Sequence, residues 1–134
     1  MEHDLESAAG GTAPENTDVI PEAVHTFYRE DGKILGYLVI DSRIQGLSVG
    51  GIRMVPEMPL ADLCHLARAM TLKYSFLKWP LGGAKAAVLT HGADLSGPDR
   101  ARYIASFAER LAPFRGRYLP GEDAGTTTED LTLV

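Results

Sequence analysis

Leu63-Cys64-His65-Leu66-Ala67-Arg68-Ala69-Met70-Thr71-Leu72-Lys73-Tyr74-Ser75-Phe76-Leu77 is followed, after Lys78-Trp79, by Pro80-Leu81-Gly82-Gly83-Ala84-Lys85-Ala86-Ala87-Val88-Leu89. In the first run Leu63, Leu66, Ala67, Met70, Tyr74 and Leu77 recur at helical spacing. Pro59 suits the first turn of such a helix and Pro80 lies beyond its end. In the second run residues 80–84 read as a loop and residues 86–89 as a short apolar strand. A helix leading through a glycine pair into an apolar strand predicts an α/β protein.

Upstream, residues 24–29 and 33–40 are rich in β-branched and aromatic residues and read as two strands. Asp31-Gly32 between them is a hairpin signal, because a two-residue turn needs positive φ. Residues 47–54 read as a third strand, interrupted by Gly50-Gly51. Downstream, Ser96 and Asp99 have capping-box spacing and Pro98 sits in the first turn of a second helix. Its buried stripe is Ile104, Phe107, Ala108 and Leu111, and Pro113 stops it. Residues 117–119 form a further expected strand. Thr126 and Glu129 repeat the capping signature, so a last helix is expected from about Thr127, cut short by the end of the chain. The predicted fold is a single three-layer α/β domain over residues 20–134, with helices flanking a mixed sheet. Residues 1–19 read as a flexible acidic tail.

At 134 residues the chain can bury one real core. Its formal net charge of -5 argues against a nucleic-acid partner, which requires a basic face. A single cysteine, Cys64, excludes an intrachain disulfide and a cysteine-built zinc site, and fits a reducing, cytoplasmic setting. No apolar run approaches the roughly 20 residues of a membrane span. Residues 1–18 lack the basic and apolar regions of a signal peptide.

Two lysines and one acidic turn could carry chemistry. On a wheel of 100° per residue, Lys73 falls about 20° from Leu66, inside the apolar arc. His65, Leu72 and Phe76 occupy much of the opposite side, and Cys64, Arg68, Thr71, Ser75 and Lys78 a narrower polar sector, so the helix reads as covered on two sides. Lys73 is then either a packed stem whose ammonium reaches water, or an ammonium held in a cleft for a carboxylate. Lys85 follows two glycines that permit a tight bend and close approach to a ligand. It is either a surface lysine after a turn or a desolvated amine suited to base chemistry. The block is not a phosphate-binding P-loop. Gly121-Glu122-Asp123-Ala124-Gly125-Thr126 is a tight acidic turn before a helix start, and Asp123 matters there only if it meets a lysine. His25, His65 and His91 show no metal-ligand spacing, and His3 lies in the tail.

Four blocks occur in one order: Gly50-Gly51-Ile52-Arg53-Met54; Leu66-Ala67-Arg68-Ala69-Met70-Thr71-Leu72-Lys73; Pro80-Leu81-Gly82-Gly83-Ala84-Lys85; and Gly116-Arg117-Tyr118 with Glu122-Asp123-Ala124-Gly125-Thr126-Thr127. From about Val24 to Val134 the chain resembles the N-terminal, substrate-binding and dimerisation segment of the glutamate/leucine/phenylalanine/valine dehydrogenase family. That resemblance implies oxidative deamination of an L-amino acid to a 2-oxo acid. It implies that Lys73 binds the substrate α-carboxylate, that Lys85 is the base activating water, and that Asp123 handles protons at the amino group. Gly50 and Gly51 would line the site and Met70 would flank it. Glutamate-specific members carry a lysine where this chain has Val49, so an apolar substrate such as leucine, valine or phenylalanine is expected. The Gly-Arg-Tyr and Asp-Ala-Gly-Thr-Thr segments resemble the leucine/phenylalanine branch. Pro80 to Lys85 is similar to the glutamate branch, and Ala86-Ala87 departs from both.

The family uses NAD or NADP on a separate Rossmann-type domain, and no G-x-G-x-x-G occurs in this chain. Two expectations follow. In the first, the chain is part of an enzyme, a homo-oligomer or a partner of a chain carrying the Rossmann domain, and binds an amino acid or 2-oxo acid. In the second, it is a stand-alone, non-catalytic domain that dimerises or binds a small carboxylate.

Overall fold

The protein is described from a computed structural model, which covers the backbone of residues 4–7 and all of residues 18–134. The strands are β1 (Asp4–Ser7), β2 (Ala23–Tyr28), β3 (Ile34–Ile40), β4 (Ser48–Val55), β5 (Gly82–Leu89) and β6 (Tyr118–Glu122). The helices are α1 (Leu60–Phe76), α2 (Gly97–Leu111) and the single turn α3 (Thr128–Leu131). The sheet order is β1-β2-β3-β5-β4-β6. β4 is parallel to both β5 and β6, whereas β1, β2 and β3 pair antiparallel, so the sheet is mixed as expected.

The connection from β4 through α1 reaches β5 on one side of β4. The connection from β5 through α2 reaches β6 on the other. Crossovers of one hand running in opposite directions place their helices on opposite faces. The two cores follow that division. Leu38, Ile40, Ile52, Ala84, Ala86 and Val88 pack under α2 with Ile104, Phe107 and Leu111. Tyr37, Val39, Ala87 and Leu89 pack under α1 with Leu63, Cys64 and Ala67. β5 is central and buried along its whole length, which explains its run of glycine and alanine between two helical layers.

Several elements differ from the sequence expectation. Of the expected tail, most lies outside the described residues, but Asp4–Ser7 forms the edge strand β1 on β2. Val19 is buried in the α1-side core. Gly82 and Gly83 are not a bend; they open β5 in extended conformation. Ser96 is the N-cap of α2 without a side-chain bond, and the Asp99 carboxylate pairs with Arg102. The final capping box is Thr127 with Asp130, one residue later than expected. Thr126 is committed elsewhere: its hydroxyl donates to the Ile52 carbonyl at 2.8 Å and accepts from the Asp123 amide at 2.9 Å.

The faces of α1 are also shifted. Its buried residues are Leu63, Cys64, Ala67 and Tyr74. Leu72 and Phe76, read from the wheel as covered, are 61% and 86% exposed. Arg68 and Thr71 turn inward to a buried carboxylate, so polar pairing rather than apolar content sets the orientation. No helix among the described residues is long and apolar enough to cross a membrane. α1 ends with Lys78 at φ 57°, where its amide reaches the Ser75 carbonyl and that of Trp79 reaches Tyr74. This is a left-handed cap that glycine fits best. Lys78→Gly should raise unfolding stability by about 0.5–1 kcal/mol in urea titration.

Candidate functional site

Strand alternation decides which side chains share the α1 face. On β5 these are Gly83, Lys85, Ala87 and Leu89; on β4 they are Val49, Gly51, Arg53 and Val55. The β4–β5 register pairs Val49 with Gly83 and resumes with Ile52 opposite Ala86. Gly50 and Gly51 fall between, opposite Ala84 and Lys85, and pair instead with Pro120 and Gly121 of β6.

Lys85 is only 7% exposed, and its ammonium lies 3.3 Å from Asp123 Oδ2. Arg53 Nε donates to the same oxygen at 2.8 Å. The Asp123 loop is held from several directions. Thr126 ties it to Ile52, and the Met54 amide donates to the Ala124 carbonyl at 2.9 Å. Arg100 donates to the Gly125 carbonyl at 2.8 Å and to Asp130 Oδ2 at 2.6 Å, which fixes α3 beside the loop. A Cβ on Gly51 would sit 2.9 Å from Asp123 Cβ, so Gly51 leaves the space that Asp123 occupies. A Cβ on Gly50 would fall 1.6 Å from the Ala84 carbonyl oxygen, so Gly50 permits close approach next to Lys85.

Burial alone would push the Asp123 carboxyl up. The Arg53 hydrogen bond and the charge of Lys85 outweigh it and hold the group below the usual carboxylate range. A folded-state pKa below the unfolded value contributes stability above the unfolded pKa. That stability is lost as pH falls through the folded pKa. The contribution should therefore be complete above about pH 5 and decline below about pH 4. Asp123→Asn should lower stability at neutral pH and flatten the acid limb of a denaturation-versus-pH curve.

A second polar cluster locks α1 to β5. Asp41, just after β3, has a nearly inaccessible side chain. It accepts from Arg68 Nε at 3.0 Å and from the Thr71 hydroxyl at 2.6 Å. Thr71 Oγ1 shares a 2.8 Å hydrogen bond with Ser42 Oγ, which also accepts from the Gly83 amide at 3.0 Å. A Cβ on Gly83 would lie 2.2 Å from the Thr71 amide nitrogen, so the helix rests on bare strand backbone. Lys73 and Lys85 each lie two residues beyond a member of this clamp, Thr71 and Gly83.

The structure thus brings together Lys85, Asp123 and Gly51, with Val49 on the same sheet face and Gly50 against Ala84. Met70 is half-buried on α1 and Lys73 is exposed near its end. No ion pair joins Lys73 to Asp123 among the described residues. Hollows of about 560 Å³ between α2 and α3 and about 420 Å³ beside Trp79 both lie off this cluster. Two participants were missed from sequence. Arg53 was visible only as a lone charge in the every-second-residue series Val49, Gly51, Arg53. Asp41 carried no motif. Cys64, placed on a polar sector by the wheel, is fully buried, and burial pushes its thiol up to about 11, which removes it as a nucleophile.

The Glu/Leu/Phe/Val dehydrogenase, dimerisation domain family model matches residues 21–134. The chain belongs to this family. It is 40% identical over 96 residues to the NADP(+)-dependent glutamate dehydrogenase of Pyrobaculum calidifontis, covering 70% of this chain and 23% of that protein. It is 28% identical over 109 residues to the leucine dehydrogenase of Bacillus subtilis, covering 78% and 29%. A solved glutamate dehydrogenase superposes with a TM-score of 0.71 at 26% identity, covering 86% of this chain and 29% of that one. The chain therefore spans about a quarter of the length of these relatives. The family match covers strands β2 to β6, both flanking helices and every residue of the Lys85–Asp123 cluster.

The strand-to-helix connections over residues 56–59 and 90–96 contain no G-x-G-x-x-G run.

Proposed function

We propose that this chain is the substrate-holding and subunit-contact part of an amino-acid dehydrogenase that deaminates an apolar L-amino acid. The observation that carries this reading is the Lys85–Asp123 contact at 3.3 Å, buried on the sheet face that also presents Val49. Lys73, on the helix resting on Gly83, supplies an ammonium for the substrate α-carboxylate. Lys85 is the base that takes a proton from the water attacking the substrate carbon, and Asp123 takes one from the substrate ammonium. Asp123 returns a proton to the departing amino group. Val49 offers no partner for a side-chain carboxylate, which favours leucine, valine or phenylalanine over glutamate. Met70, Gly50 and Gly51 shape the surface around the substrate.

NAD or NADP binds to a Rossmann domain in the complete enzyme, either on a longer form of this chain or on a partner. The domain assembles with further copies of itself, in keeping with the family description as a dimerisation domain. A cytoplasmic setting fits the single free cysteine. The test is amino-acid-dependent reduction of NAD or NADP by the complete enzyme. Lys85→Ala should lower kcat by about 10²–10⁴-fold. Lys73→Ala should act chiefly on KM for the amino acid. Full activity in Lys85→Ala would contradict the assignment.

A further inference from the structure

Asp123 meets two cations, and both reach the same oxygen. Arg53 Nε donates to Oδ2 at 2.8 Å and the Lys85 ammonium stands 3.3 Å from it. Oδ1 accepts no hydrogen bond from the described residues. Arg53 comes from β4, Lys85 from β5, and Asp123 follows β6, so three neighbouring strands converge on one carboxylate oxygen. A carboxylate beside a lysine alone could rotate about its side-chain torsions and offer either oxygen. The planar guanidinium removes that freedom, because its Nε–H bond is directional in a way that an ammonium is not. Arg53 is itself placed by the backbone. Its neighbour Ile52 accepts from Thr126, which in turn accepts from the Asp123 amide, so Arg53 and Asp123 are tied at both backbone and side chain.

We infer that Arg53 is a positioning residue: it pins Asp123 Oδ2 against Lys85 and leaves Oδ1 as the oxygen that exchanges protons with the bound amino acid. This rests on the proposed role of Asp123 in deamination. Among the described residues, Tyr118 of β6 and the adjacent Glu122 are further titratable groups near the carboxylate. Tyr118 donates its hydroxyl to the Gly50 carbonyl at 2.7 Å, and Glu122 accepts from Thr128, so neither takes the place of Arg53.

The test needs no substrate. In the chain labelled with ¹³C-carboxyl aspartate, the Asp123 resonance is assigned by its loss in Asp123→Asn and titrated with acid. Arg53→Gln should move its midpoint upward by about one pH unit or more. Arg53→Lys, which keeps charge but not the Nε–H, should recover only part of that displacement. Should Arg53→Gln not fold, the wild-type Arg53 Nε–H signal gives the same answer. It should exchange slowly and lose that protection in step with Asp123 protonation. An unchanged Asp123 midpoint in folded Arg53→Gln, or a fast-exchanging Nε–H in the wild type, overturns the inference. In the complete enzyme, Arg53→Gln should displace the acid limb of the kcat profile while KM for the amino acid changes little. A purely structural staple would lower stability without moving that limb. Failure of the complete enzyme to deaminate any amino acid would defeat the proposed function and leave the titration result standing.

Discussion

Gly50→Ala should destabilise the protein by about 3 kcal/mol or more, because the new methyl has nowhere to go. The Cβ would lie 1.6 Å from the Ala84 carbonyl oxygen and 2.4 Å from its carbon. Ala84 is fully buried in the central strand, so the obstacle is backbone that cannot rotate away. The only relief is to part β4 from β5 at Ala84-Lys85. Parting them also drags the Gly50 carbonyl from the Tyr118 hydroxyl and shifts Gly51 from beneath Asp123. Gly121→Ala is the control. A Cβ there meets nothing within 4 Å, so its effect should stay within about 0.5 kcal/mol. Equilibrium denaturation of both variants measures the difference.

Asp41→Ala should cost about 3 kcal/mol, the low end of the range for breaking a buried ion pair. The low end applies because Arg68 keeps a 41% exposed side chain and can turn to water. Thr71 and Ser42 cannot, and their hydroxyls lose the acceptor that organises them. The damage should be local before it is global. Amide exchange in the second half of α1 should accelerate more than in α2, which shares no bond with Asp41. Thr71→Val removes one link only and should cost about 1 kcal/mol.

The two variants mark what could and could not be read from sequence. The layer order was legible, because the apolar stripe of α2 has a clear helical period and β2 and β3 are rich in β-branched and aromatic residues. Ile104, Phe107, Ala108 and Leu111 are all buried as read. Lys85 and Asp123, separated by 37 intervening residues, were linked only through the resemblance, and the structure puts them in contact. The orientation of α1 was not legible. Leu72 and Phe76 carry apolar surface outward, while Arg68 and Thr71 face in, and only Asp41 on another element explains that reversal. A wheel scores one helix at a time and cannot see a partner carboxylate. Gly82-Gly83 misled for a related reason. Glycine signals a bend or a close approach equally well, and here Gly82 lies against the Ser42 backbone and Gly83 against that of α1. Arg53 stood inside a quoted block without a role, because its meaning depends on the loop that folds back seventy residues later.

Lys73 and Lys85 form one site only if they serve one ligand. The most direct measurement is an NMR titration of the chain with ¹³C-dimethylated lysines against a branched-chain 2-oxo acid, with Lys73→Arg and Lys85→Arg used for assignment. If both lysines hold one ligand, the Lys73 and Lys85 methyl signals should change in parallel and saturably with one dissociation constant, while the exposed Lys33 stays unmoved. A titration in which Lys33 follows the same course as Lys73, with Lys85 unaffected, would show nonspecific pairing with surface ammonium groups and contradict the site.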